Sequence, residues 1–131
     1  MSKRDEIVEI AKSQIGYREG SNNDTKYGDW YGLPDQPWCA MFVSWCANQV
    51  GISNDIIQPF AYCPTGYNWF RIKGQGTRDH IRPDKGDIIF FIWSGNSSPD
   101  HVGIVEYVDG NTVHTIEGNR SDKVSRFSYN I

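Results

Sequence analysis

Cys39, His101 and Glu117 are the residues of this chain whose types could do chemistry together. Cys39 follows Pro37 and Trp38 and opens a stretch with an amphipathic pattern, so it is expected at the first turn of a helix. Free backbone N–H groups and the helix dipole stabilise a thiolate there. A histidine further along supplies a base for such a nucleophile, and a carboxylate supplies a group to orient the base. The combination points to thiol-dependent hydrolysis, provided the elements between these residues bring them to one place.

The elements divide into helices first and strands second. Ser2, with Asp5 and Glu6 behind it, marks a helix start, and Ile7, Ile10, Ala11 and Ile15 recur at helical spacing before a stop at Gly16. Residues 17–36 are rich in Gly, Asn, Asp and Tyr and read as an ordered loop. A second helix, with Pro37 as its first residue, runs through Val43, Cys46, Ala47 and Val50 to Gly51. Pro64 opens a third, short helix carrying Tyr67, Trp69 and Phe70, closed by Gly74. From Asp87 to Trp93 a nearly continuous apolar run reads as a buried strand, and residues 95–100 as a turn-rich connection. His101–Val108 and Thr112–Glu117 flank Asp109-Gly110-Asn111, a hairpin signal, and Lys123–Tyr129 is a last strand. The fold class expected is α+β, N-terminal helices on a C-terminal antiparallel sheet.

The hairpin tests whether the three residues can meet. With Asp109, Gly110 and Asn111 as a three-residue loop, Val108 faces Thr112, His101 lies opposite Asn119, and Glu117 lies opposite Gly103. Side chains alternate along a strand, so His101, Gly103, Glu117 and Asn119 share a face, and diagonal neighbours about 7–8 Å apart are within reach of His and Glu. A two-residue turn shifts the register by one and sends Glu117 to the other face. The same register sets His114 against Glu106 on the opposite face, as a cross-strand pair. His80 sits among the charges of Arg78-Asp79-His80-Ile81-Arg82 and reads as a solvated loop residue.

The cysteines rank by the same logic. Cys39 and Cys46 are seven residues apart on one helix, a rise of about 10 Å, and cannot bond to each other. Cys46 falls on the apolar stripe and reads as a small buried hydrophobe. Cys63 precedes Pro64, which biases it to an extended conformation without the benefit of a helix dipole. Three cysteines make an odd number, which argues against a disulfide framework.

The 131 residues suffice for one domain with a real core. Thirteen basic and sixteen acidic residues give a formal charge of −3 with no basic run, which argues against nucleic acid as a main partner. No stretch approaches the roughly twenty apolar residues that span a bilayer, and the first residues carry too many charges for a signal peptide. The aromatic content is high, at 14%. Several rings cluster near the helices, and Trp30, Tyr31, Trp38 and Trp93 are candidates for lining a ligand groove.

Four segments together resemble one family: residues 37–46 (Pro37 to Cys46), 85–91 (Lys85 to Phe91), 100–105 (Asp100 to Val105) and 116–119 (Ile116, Glu117, Gly118, Asn119). They are similar, in order and spacing, to the motifs of the CHAP family of cysteine, histidine-dependent amidohydrolases/peptidases. This family groups with the NlpC-type enzymes among papain-like proteins. The resemblance runs from about Ile7 to Tyr129. It implies a single catalytic domain over residues 1–131 with a papain-like fold, Cys39 as nucleophile, His101 as base, Glu117 as the orienting acid and Asn119 in the fourth polar position. It also implies peptidoglycan as partner, with cleavage in the peptide stem or cross-bridge or at the glycan–peptide amide. A monomer is expected, with no cofactor, no nucleic acid and no membrane.

Some details follow from that resemblance. The Cys39 N–H would bind the oxyanion of the tetrahedral intermediate, with Gln36 weighed as a second donor. Some members bind calcium before the cysteine. Asn22, Asp24 and Asp29 offer oxygens here, but their spacing does not match an established calcium loop, so a turn-rich loop with Asx hydrogen bonds is expected and no metal. Two alternatives stay open: a catalytically silent wall-binding module, and amide synthesis or acyl transfer on a non-wall amide. Action at the bacterial cell wall is expected, through a holin-type export route or as a domain excised from a longer protein.

Overall fold

The computed structural model describes residues 2–73, 82–93 and 98–130. Helix α1 (Lys3–Ser13) begins where the Ser2 hydroxyl accepts the Asp5 N–H at 3.1 Å, and it buries Ile7, Val8 and Ala11. The stretch expected as loop contains a 3₁₀ turn (Ser21–Asn23) and a further helix, α2 (Lys26–Tyr31). Thr25 caps α2 by accepting the Gly28 N–H at 3.0 Å. Six residues are too few for a helical period to show in a sequence, which is why only the cap announces this helix.

Helix α3 (Cys39–Gln49) forms the centre of the core, burying every residue from Ala40 to Ser44 together with Cys46 and Ala47. Pro37 is not its first residue: Trp38 is the N-cap, and Cys39 begins the helix. Trp38 is anchored from both sides. Its ring stacks on Tyr27 at 5.5 Å, and its Nε1 donates to Glu19 Oε1 at 2.9 Å. Helix α4 (Cys63–Ile72) follows, with Pro64 in its first turn. The expected stop at Gly74 and the expected loop around His80 lie outside the described residues, as does part of the connection at 95–100.

Strands β1 (Ile88–Phe91), β2 (His101–Asp109), β3 (Thr112–Arg120) and β4 (Lys123–Asn130) form one antiparallel meander in the order β1-β2-β3-β4. The strand expected to be buried, β1, is an edge strand in which only Phe91 is buried and the other three residues are partly exposed. Val102, Ile104, Ile116 and Val124 pack against Ile7, Val8, Trp38 and Phe42 in the helix-facing core. By alternation, His101, Gly103, Thr115 and Glu117 occupy the other face.

The β2–β3 hairpin departs from the expected loop and still delivers the expected register. Asp109 pairs with Thr112, so the loop has two residues, Gly110 and Asn111. Gly110 carries the positive φ (+58°) that a type II′ turn requires at its first central position. That turn alone would set Glu117 on the wrong face. A β-bulge between Val105 and Tyr107 absorbs one residue, Glu106, and beyond it Val105 pairs with Thr115 and Ile104 with Ile116. Continuing that ladder sets Gly103 opposite Glu117. The bulge also removes the expected pair: His114 stacks on Tyr107 at 4.1 Å, and Glu106 takes a bidentate bond from Arg126 at 3.0 and 3.1 Å. No described helix is long and apolar enough to cross a membrane.

Candidate active site

Cys39 is the first residue of α3, and its thiol is half-buried. The Cys39 N–H belongs to the first turn and has no acceptor within the helix. His101 is the first residue of β2 and is only 6% exposed. Its Nε2 lies 2.9 Å from Glu117 Oε1, which leaves Nδ1 for Cys39. The imidazole packs against a pair of rings: Trp93 stacks on it at 5.4 Å, Phe91 lies at 5.9 Å, and the two stack on each other at 5.2 Å.

Glu117 has no solvent exposure, so its charge must be met inside the protein. Four donors meet it. Oε1 accepts from His101 and, at 3.4 Å, from Arg120 Nη1. Oε2 accepts from Thr115 Oγ1 at 2.5 Å and from Tyr129 OH at 2.7 Å. Arg120 also donates to Tyr129 OH and lies over the Trp93 ring at 5.3 Å, so the far side of the site is closed by one connected group.

The electrostatics follow from these contacts. Burial alone would raise Glu117, but the bonds from His101, Thr115 and Tyr129 outweigh it and hold the carboxyl below its ordinary range. Burial would likewise lower His101, yet its bonds to Cys39 and Glu117 raise it to about 9. The Cys39 thiol is lowered to about 5, first by the hydrogen bond from Cys63 and then by His101, against the opposing effect of burial. At neutral pH the pair is therefore a thiolate facing an imidazolium, the reactive form of a cysteine nucleophile.

Cys63 corrects the sequence-based expectation. It is the first residue of α4 rather than an extended residue ahead of it, and its Sγ stands 3.6 Å from Cys39 Sγ. Pro64 fits within the first turn, so the restriction it places on the residue before it does not exclude Cys63 from the helix end. Cys46 is buried, and desolvation pushes its thiol up.

Of the remaining expected residues, some reach this site and some do not. Asn119 takes a left-handed backbone (φ +65°) at an irregularity between β3 and β4, and its side chain makes no hydrogen bond among the described residues. Gln36 is exposed, three residues before the start of α3. Trp93 stacks on His101. Tyr31 lines a shallow pocket with Phe60, Tyr62, Thr65 and Trp69, and Trp30 packs edge-on to Tyr31 at 6.0 Å. Trp38 lines no groove, because it is wholly buried in the core. Asn22 lies in the 3₁₀ turn and Asp29 on α2; no group of three or more His, Cys, Asp or Glu side chains forms a metal cluster among the described residues.

Sequence reasoning missed Thr115, Arg120, Tyr129 and Cys63. Thr115 was within reach of it, since residues two apart on a strand share a face. Arg120 and Tyr129 depend on the β3–β4 turn, where Ser121 and Asp122 both take positive φ without a glycine to signal it.

No curated protein sequence matches the chain. One solved structure, "The crystal structure of Ly7917", superposes with a TM-score of 0.55 at 19% identity, covering 98% of this chain. The chain spans 57% of the length of that structure, and the likeness is one of fold. A family model for the CHAP domain matches residues 29–119, which takes in Cys39, His101 and Glu117. On that match the chain belongs to the CHAP family, whose members are in general hydrolases of the cell-wall amidase and peptidase type.

Proposed function

We propose that this chain hydrolyses an amide bond of peptidoglycan through a Cys39 thiolate and an acyl-enzyme intermediate. The observation that carries this reading is the 2.9 Å bond from His101 Nε2 to the fully buried Glu117, which turns Nδ1 toward the half-buried Cys39 thiol. The thiolate attacks the amide carbonyl carbon, and the oxygen that gains charge meets the free Cys39 N–H at the start of α3. As the C–N bond breaks, the His101 imidazolium gives its proton to the departing amine. The neutral imidazole then takes a proton from water, and the resulting hydroxide attacks the thioester and expels the thiolate. Throughout, Glu117 keeps the ring in one orientation and stabilises its cation. Trp93 and the pocket at Tyr31, Tyr62 and Trp69 supply apolar walls on which a glycopeptide can rest.

The test compares wild type with Cys39→Ala on suspensions of bacterial walls, followed by mass spectrometry of the soluble products. Turbidity is expected to fall with wild type alone, and the products to carry a new carboxyl and a new amine at one position of the stem, cross-bridge or glycan–peptide link. Equal clearing by both proteins would overturn the reading.

A further inference from the structure

Cys63 exchanges no proton or bond in the hydrolytic sequence above, where it only donates a hydrogen bond to Cys39, yet it is built into the site. It opens α4 as Cys39 opens α3, and the two sulfurs lie 3.6 Å apart. The approach is fixed from behind. Ser44, wholly buried on α3, accepts the Phe60 N–H at 3.0 Å and so ties the segment leading into α4 to the helix that carries Cys39. A disulfide needs its sulfurs at about 2.05 Å, so side-chain rotation has to close a gap of about 1.5 Å.

We propose that Cys39 and Cys63 form a reversible disulfide when the protein meets a peroxide, a modification that switches the nucleophile off. Its effect on activity rests on Cys39 being the nucleophile; the bond itself rests only on the two sulfurs. In the first step the Cys39 thiolate attacks one peroxide oxygen, breaks the O–O bond and releases hydroxide, which solvent protonates to water; Cys39 becomes a sulfenic acid. In the second step the Cys63 sulfur attacks the sulfenic sulfur. The S–O bond breaks, the departing hydroxide takes the Cys63 proton, and a second water leaves. Two sulfurs have then lost one electron each, and the peroxide has gained both.

The arrangement suits each role. Cys39 is the sulfur held as a thiolate and reachable from solvent, as an oxidant requires. Cys63 is shielded and keeps its proton, first because it donates to Cys39 and then because it is buried, and the first of these restraints is lost once Cys39 is oxidised and neutral. Cys46 is buried further along α3 and has no part.

The test treats reduced protein with hydrogen peroxide, alkylates free thiols, and maps the digest by mass spectrometry, with wall lysis measured before and after dithiothreitol. Wild type is expected to yield a Cys39–Cys63 linked peptide lighter by two hydrogens, to lose most of its lytic activity, and to regain it on reduction. Cys63→Ser, each time compared with its own reduced activity, is expected to lose activity irreversibly as Cys39 proceeds to sulfinic acid. The proposal is overturned if peroxide-treated wild type carries sulfinic Cys39 beside an alkylated Cys63, or if Cys63→Ser recovers as fully as wild type. A linked peptide without loss of lysis also overturns the switch; if Cys39→Ala is then fully lytic, the hydrolase reading fails with it.

Discussion

Gly103 lies directly beneath Glu117: a Cβ at position 103 would stand 2.7 Å from Glu117 Cγ and 3.3 Å from the Ile116 carbonyl oxygen. The atom it would meet is not the loose end of a side chain. Glu117 is buried and fixed by four donors, so it cannot move aside without leaving His101.

Gly103→Ala is therefore expected to fold and to fail at chemistry. Overpacking of this kind typically costs about 1–3 kcal/mol of stability. A displacement of Glu117 by about 1 Å is enough to cost on the order of 10²-fold in rate. Circular dichroism and lysis kinetics on the same sample check this. Wild-type rates in a folded Gly103→Ala protein would show that the position of Glu117 does not matter.

The lysis rate is expected to follow a bell-shaped dependence on pH. It rises as pH passes about 5, where Cys39 becomes a thiolate, and falls as pH passes about 9, where His101 loses the proton it must give to the amine. Rates at constant ionic strength from about pH 4 to about pH 10 read both limbs. An acid limb near the ordinary thiol value of about 8.5 would show that Cys39 is not activated by its surroundings.

Thr115→Val and Tyr129→Phe each remove one donor from Glu117 Oε2, and each is expected to destabilise the fold by about 1–3 kcal/mol at neutral pH. Thr115 is wholly buried and Tyr129 only partly, so Thr115→Val is expected to cost more, because water can replace the Tyr129 hydroxyl. These donors help lower the Glu117 pKa. A lowered carboxyl contributes stability above its unfolded-state pKa and loses it as pH falls through the folded-state value. The gap between wild type and either variant should thus be full at neutral pH and narrow in acid. Urea denaturation at both pH values measures it, and a gap that stays constant would remove the Glu117 charge from the account.

The nucleophile and its partners were legible because they depend on residue type, a helix start and strand alternation, all of which are local. The face shared by His101, Gly103 and Glu117 was reached through a wrong turn. The loop has two residues where three were expected, and the Glu106 bulge restores the register. Nothing in Val105-Glu106-Tyr107 announces a bulge, and the partner that Glu106 finds there is long-range: Arg126 on β4 holds its carboxylate. Trp38 read as a groove residue for the same reason. Only its packing on Tyr27 and its bond to Glu19, nineteen residues back in the chain, make it core.

The bulge itself can be tested by removing it. Glu106 is the residue that the ladder skips, since Tyr107 pairs with His114 and Val105 already pairs with Thr115. Deleting Glu106 therefore leaves every other pair in place and converts the hairpin into a regular ladder closed by its two-residue turn. His101, Gly103 and Glu117 keep their common face. The deletion also removes a pair whose Arg126 side chain is 54% exposed, so the stability lost with it is expected to stay within about 1 kcal/mol. Deletion of Glu106 should thus yield a folded protein that retains lytic activity, with Glu117 still facing His101. A lysis assay on the folded deletion protein decides the matter. Loss of activity in the folded Glu106 deletion would mean that the twist a bulge adds to β2, and not register alone, sets His101 against Cys39.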